Sequence, residues 1–170
     1  MRTEKIQKLV WAGLFTALTT IATMIVQVPS PLGGYLNAGD AVVILSAFLL
    51  GSPWGALAAG LGSALADLLS GYAIYAPATL IIKALMALAA GAILRSAKKK
   101  NALSMAVLGS LASEVIMIVG YFAYDALVMG YGLGALANVP GNCMQGAFGV
   151  LAGTALFYAL LRIPYVKKTF

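Results

Sequence analysis

From Lys8 to Val28 the chain is apolar apart from scattered Thr and Gln, and Pro29 and Pro31 close the run, because proline cannot continue a helix. This predicts a first membrane-length helix, too long for a signal-peptide core and without a convincing cleavage site, so it is expected in the mature protein. A turn-rich loop from Pro29 to Gly39 leads to a short apolar run, Asp40 to Leu50, a second helix at the lower limit for a span. Pro53 stands where a first helical residue belongs, opening a third helix to about Ser70, and Pro77 does the same for a fourth that ends near Leu94. Ala102 to Leu127 predicts the fifth helix. Gly130, Gly132 and Gly134 mark a loop, and Val139 to Leu161 predicts the sixth.

Composition fixes the environment of these helices. Apolar residues make up 62% and charged residues 9% of the 170 positions, against about a quarter charged in soluble proteins, and the mean hydropathy is +0.95. The expected fold class is therefore an all-α integral membrane protein, with six transmembrane helices in one compact bundle spanning residues 1–170 as a single domain. There are no histidines and one cysteine, Cys143, so no disulfide, no metal site of the usual ligand types and no cofactor is expected, and Cys143 reads as a small packing residue. Arg2, Lys5 and Lys8 precede helix one, Arg95, Lys98, Lys99 and Lys100 follow helix four, and Arg162, Lys167 and Lys168 follow helix six, whereas the loops after helices one, three and five carry no Lys or Arg. The positive-inside rule then makes both termini cytoplasmic. The net charge of +6 follows from topology and anionic lipid rather than nucleic acid.

Lys83 is a lone cation in the apolar stretch Ala76 to Leu94, and Asp67 lies near the outer end of the preceding helix. A charge at bilayer depth is costly unless it is paired or faces a polar cavity, so it points to a polar site. With the predicted orientation, Tyr35, Asn37, Asp40, Asp67, Tyr72, Tyr75, Lys83, Tyr121, Tyr124, Asp125, Asn138, Asn142 and Gln145 all fall in the outer half. Tyr121 and Asp125, and Asn142 and Gln145, share helix faces by spacing. Glu114 sits deeper, near the middle of helix five, without a basic residue in its own helix. A few convergent polar groups and aromatics in apolar walls suit an outward-opening pocket for a small, partly aromatic solute, with Tyr35, Asn37, Asp40, Asp67, Tyr75, Lys83, Glu114, Tyr121, Asp125, Asn142 and Gln145 as its expected substrate-binding residues.

Each of these groups also has a plainer reading. Asp67 and Lys83 can form a structural ion pair between antiparallel helices, the tyrosines can be an interfacial belt, and Asp40 can cap helix two. Glu114 must find a cation elsewhere, stay protonated or meet a ligand donor. In helix one, Ala12 with Thr16 and Gly13 with Ala17 form overlapping small-xxx-small pairs that suit a partner helix. The small residues Gly55, Ala59, Gly60, Gly62, Ser63 and Ala66 of helix three are read as internal packing. Trp11 and Trp54 fall at the cytoplasmic boundary, as interfacial anchors do.

The runs Gly34-Tyr-Leu-Asn-Ala-Gly-Asp40, Leu61-Gly-Ser-Ala-Leu-Ala-Asp67-Leu-Leu-Ser-Gly-Tyr72 and Tyr75-Ala-Pro-Ala-Thr-Leu-Ile-Ile-Lys83 resemble those of the substrate-binding S components of energy-coupling factor (ECF) vitamin transporters. They are most similar to the riboflavin-type subfamily, which also includes vitamin B6 and thiamin-pyrimidine members. The resemblance covers nearly the whole chain. It implies a multi-pass protein of a bacterial plasma membrane that captures a vitamin outside, closes its first external loop over it and topples against a transmembrane coupling protein driven by two cytoplasmic ATPases. It also implies that the small-residue pairs of helix one, at Ala12, Gly13, Thr16 and Ala17, form the docking surface. The chain has no phosphate-binding Gly-x-x-x-x-Gly-Lys-Ser/Thr loop, so ATP hydrolysis is assigned to partners and not to this chain.

An intramembrane enzyme would need a nucleophile with a base or a metal, and without histidine only an aspartyl dyad is left. An autonomous proton-coupled carrier would need an ionisable relay such as Glu114 with Asp67, yet no inverted repeat is visible. For the ligand, the acids Asp67, Glu114 and Asp125 as acceptors, Lys83 as donor and tyrosines as stacking surfaces favour a small polar heteroaromatic, a vitamin B6 vitamer or hydroxymethylpyrimidine. Riboflavin is the rival.

Overall fold

Helix α1 (Arg2–Ile25) opens the chain and feeds a short antiparallel hairpin, β1 (Gln27–Pro29) and β2 (Tyr35–Asn37). Five helices follow: α2 (Asp40–Leu50), α3 (Trp54–Leu69), α4 (Ala76–Arg95), α5 (Ala102–Leu127) and α6 (Val139–Leu160), the last preceded by a 3-10 turn over Gly132–Asn138. This computed structural model describes residues 2–97 and 101–163; Lys98, Lys99, Lys100, Lys167 and Lys168 of the predicted basic clusters lie outside the described residues. All six predicted helices form. The first starts and ends earlier than predicted, because the residues up to Pro29 pair as a strand instead of extending the helix.

Among the described residues, four helical stretches are long and apolar enough to cross a bilayer: Lys5–Ile25, α4, α5 and the run from Gly132 to Leu160. Helices α2 and α3 are shorter. Helix α2 is about 16 Å long at 1.5 Å per residue, and nine of its eleven residues are buried, packed among α1, α3, α4 and α6. A helix that is apolar all round needs apolar neighbours all round, so α2 is the central plug of the bundle. Val43, Ile44, Phe48, Met86, Met117 and Phe157 form the core around it.

The outer surface carries what a soluble protein would hide. Leu9, Leu14, Leu57, Leu65, Ile81, Leu108, Val115, Phe148 and Leu151 are all exposed, a girdle of apolar surface that suits lipid, not water. The buried set, by contrast, includes Asp40, Asp67, Lys83, Glu114 and Asp125. Polar residues inside and leucines outside is the arrangement of a membrane bundle enclosing a polar centre.

Small residues let the helices approach. A Cβ on Gly62 would stand 2.6 Å from the Thr16 carbonyl oxygen of α1, and one on Gly60 would stand 2.7 Å from the Leu80 carbonyl oxygen of α4. The third helix is thus held between its neighbours at backbone contact, as its small residues predicted. Thr16, Thr19 and Thr20 of α1 return their hydroxyls to the carbonyls of Ala12, Phe15 and Thr16 at 2.8 to 2.9 Å, which satisfies them within an apolar span.

Candidate functional site

At the end of the bundle where α1, α3 and α5 finish and α2, α4 and α6 begin, the side chains of several elements converge on a cavity of about 40 Å³. Its wall takes Tyr35 and Asn37 from the hairpin, Asp67 from α3, Tyr75 and Thr79 around the start of α4, Tyr121 and Asp125 from α5, and Asn142 and Gln145 from α6. Eight of the eleven predicted substrate-binding residues therefore meet in one place: Tyr35, Asn37, Asp67, Tyr75, Tyr121, Asp125, Asn142 and Gln145.

Asp40, Lys83 and Glu114 do not line that wall. They form a layer one turn deeper. The Lys83 ammonium forms its salt bridge with Asp40, both almost wholly buried, and Gln145 Nε2 donates to the other Asp40 oxygen at 2.6 Å. The Lys83 nitrogen also lies 5.5 Å from the centre of the Tyr121 ring, a cation–π distance. Two sequence-based expectations are corrected by this geometry. The predicted Asp67–Lys83 pair is replaced by Asp40–Lys83, because α2 is the central helix and presents Asp40 to α4. Asp40 is no helix cap either: Gly39 holds that position without a side-chain cap, and the carboxylate is spent on Lys83 and Gln145.

Glu114 comes to the same layer. Glycines at 146 and 149 on α6 make room for it: a Cβ on Gly146 would lie 3.1 Å from Glu114 Cβ, and one on Gly149 would fall against both the Glu114 carboxylate and Asp40 Cβ. Neither Glu114 oxygen has a hydrogen-bond donor among the described residues. Glu114 thus neighbours Asp40, whereas Asp67 neighbours Tyr35, which gives the two acids of the suggested relay different surroundings.

The hairpin covers the cavity and is tied to it by polar contacts. Tyr35 OH donates to Asp67 Oδ1 at 2.7 Å, the Asn37 amide donates to Gln145 Oε1 at 2.8 Å, and the Leu32 amide donates to Asn138 Oδ1 at 3.3 Å. Gly33 and Gly34 turn the hairpin with φ of 107° and 73°, a region that favours glycine, and both pack against the Tyr75 ring. Burial and the adjacent Asp67 carboxylate push the Tyr35 phenol well above its ordinary pKa, so it remains a donor. Tyr75 is pushed upward in the same way, by burial and then by Asp125.

Asp125 is fully served. Tyr75 OH donates to its Oδ1 at 3.0 Å and Asn138 Nδ2 to its Oδ2 at 2.8 Å. The tyrosines are therefore more than an interfacial belt: the tilted rings of Tyr35 and Tyr72 have centres 4.6 Å apart, and the buried Tyr75 ring lies 5.5 Å from that of Tyr124. Sequence reasoning left Ser30, Gly33, Gly34, Thr79 and Asn138 out of the site, though all line it. Thr79 stands four residues before Lys83, and Asn138 four before Asn142. Helical spacing from residues already singled out would have found both.

The four small residues predicted for docking divide. Ala12 is buried and the Thr16 carbonyl meets α3, while Gly13 and Ala17 are exposed. The Gly13–Ala17 face is thus the open one. Cys143, read as a packing residue, is exposed on the outer side of α6, because α6 turns Asn142 and Gln145 inward instead. A larger groove of about 860 Å³ lies at the opposite end, lined by Lys8, Trp11, Leu94, Arg95, Phe157 and Tyr158 among others, and it also brings the starts of α1 and α5 beside the end of α6.

Comparison with known proteins agrees with the resemblance. An uncharacterised protein of Pyrococcus woesei is 34% identical over 142 residues, covering 83% of this chain and 93% of the relative. The thiamine precursor transporter HmpT of Lactococcus lactis subsp. cremoris is 29% identical over 171 residues, covering 99% of this chain and 93% of that transporter. Residues 3–162 match the family described as the S component of the ECF-type riboflavin transporter, and with the match running through every helix and the cavity wall, the chain belongs to that family of vitamin-transporting S components.

Proposed function

We propose that this chain is the S component that captures hydroxymethylpyrimidine, the thiamin precursor, outside the cell and delivers it inward with a transmembrane coupling protein and two cytoplasmic ATPases. The observation that carries the reading is the cavity wall: its charged groups are the carboxylates of Asp67 and Asp125, while Lys83 is neutralised beneath it by Asp40. Such a wall suits a ligand that presents N–H donors. The relationship to a protein named as a thiamine precursor transporter supports the same choice over riboflavin. Vitamin B6 vitamers present fewer N–H donors, pyridoxamine excepted.

Six spans, with both termini cytoplasmic and the hairpin outside, complete the reading. The even number of antiparallel helices supports it, as does the basic residue pair Lys8 and Arg95 on the groove at the opposite end. Gly13 and Ala17, the exposed members of the four-residue set Ala12, Gly13, Thr16 and Ala17, are the surface for the coupling protein.

Thermal melting of the detergent-purified chain against a panel of B vitamins tests the ligand. A ligand at about 1,000 times its dissociation constant adds roughly 4 kcal/mol. Hydroxymethylpyrimidine is expected to raise the midpoint, and a shift with riboflavin or pyridoxine alone refutes the choice.

A further inference from the structure

Asp67 and Asp125 both line the cavity, but they are served differently. Asp125 receives one donor on each oxygen, from Tyr75 and from Asn138. Asp67 is 5% exposed, and its Oδ2 has no donor among the described residues. The Thr79 hydroxyl beside it shares a hydrogen bond with Tyr121 OH at 2.9 Å in which either oxygen can donate, and it meets Asp67 Oδ2 in no hydrogen bond of normal geometry. Buried polar atoms are nearly always paired, so an orphaned carboxylate oxygen on a cavity wall calls for a donor from outside the chain. The donor on Oδ1 is also unusual in origin. Tyr35 supplies it from the hairpin over the mouth, at 2.7 Å, not from a helix of the bundle.

We infer that Asp67 is the recognition carboxylate for an aminopyrimidine edge, a ring nitrogen next to an exocyclic amine, and that the Tyr35 hydroxyl is an internal stand-in which this edge displaces. The inference rests on the reading of the chain as a vitamin-capturing S component and adds to it the atom that selects the ligand. A carboxyl group and an aminopyrimidine edge match as a two-point fork. One proton lies between an Asp67 oxygen and the ring nitrogen, on either atom, and the amine donates to the other oxygen. Both Asp67 oxygens are needed, so the edge competes with the Tyr35 hydroxyl at Oδ1. The cavity of about 40 Å³ holds roughly three waters at 10–15 Å³ each and no ring, so entry of a ligand requires the hairpin to shift in any case. Filling Asp67 and releasing the Tyr35 tie are therefore one event.

The same fork excludes the rivals. The polar edge of an isoalloxazine presents carbonyl, N–H and carbonyl, which sets a carbonyl oxygen against a carboxylate oxygen. The pyridine of vitamin B6 has no amine on the carbon next to its ring nitrogen. An amide at position 67 would reverse the preference, because its carbonyl and NH2 complement the N–H and carbonyl of a 4-oxo-pyrimidine.

The test is calorimetric titration of the full chain in detergent with 4-amino-5-hydroxymethyl-2-methylpyrimidine and with its 4-oxo analogue. The unaltered chain is expected to bind the amino compound about 100-fold tighter than the oxo compound, a difference of about 2.7 kcal/mol. Asp67→Asn is expected to lose that factor for the amino compound and to gain for the oxo compound. Tyr35→Phe keeps the carboxylate and removes its competitor, so the amino compound is expected to bind several-fold tighter. Equal weakening of both compounds by Asp67→Asn, or weaker binding of the amino compound to Tyr35→Phe, overturns the inference. An unaltered chain that binds riboflavin or pyridoxine but no aminopyrimidine overturns it while vitamin capture stands, and one that binds no vitamin overturns both.

Discussion

Lys83→Met removes the one cation of the deep polar layer and leaves its shape nearly intact. In the native bundle the ammonium meets Asp40, Gln145 holds the second Asp40 oxygen at 2.6 Å, and Glu114 adjoins both. Without the ammonium, two carboxyl groups face each other in the interior with one amide for company. Breaking a buried pair by removing one partner costs about 3–5 kcal/mol. For a chain of 170 residues, at about 2–4 °C per kcal/mol, the melting temperature should fall by about 6–20 °C. Adding Asp40→Asn keeps a hydrogen-bonding group for Gln145 and removes the stranded charge, so the double variant should regain at least half of the loss. The assay is tryptophan fluorescence from Trp11 and Trp54 during heating in detergent. A thiol-reactive dye is unsuitable because Cys143 is exposed before unfolding. A Lys83→Met chain that melts within about 2 °C of the native one, or a double variant whose losses simply add, would refute the coupling of Lys83 to Asp40.

Gly62→Val places its Cβ 2.6 Å from the Thr16 carbonyl oxygen and should destabilise the chain by about 1–3 kcal/mol through overpacking, read as a lower melting temperature. A Cβ on Gly13 meets nothing within 4 Å and the position is exposed, so with Gly13→Leu the isolated chain should melt and bind as before while vitamin uptake by the assembled transporter falls; unchanged uptake would remove Gly13 from the docking face. Tyr75→Phe strips the donor from Asp125 Oδ1 and should cost about 1–3 kcal/mol, with the exposed Cys143→Ser as a neutral control in the same melting series.

Much of the fold was legible because the bilayer leaves few options. Backbone groups in lipid must be satisfied within helices, so runs of apolar residues bounded by Pro29, Pro53 and Pro77 mark helices without knowledge of their neighbours. The predicted and observed limits of α2 and α5 coincide for that reason. The hairpin was not legible. Its strands have three residues each, their pairing depends on where α1 ends and α2 begins, and a Pro-Gly loop carries no periodic signal.

The sequence alone determined that a lone lysine, several acids and a cluster of tyrosines would share one end of a membrane bundle, because burying charge in lipid is too costly to occur without a polar centre. Which acid serves which donor was decided by tertiary structure. Nothing in the spacing of Asp40, Asp67 and Lys83 ranks one ion pair over the other; the ranking comes from α2 taking the central position, which sets Asp40 against Lys83 and leaves Asp67 to Tyr35 and the cavity. Hydrophobicity is a property of each residue and can be read one position at a time, whereas a hydrogen bond of 2.7 Å depends on where two distant segments come to rest.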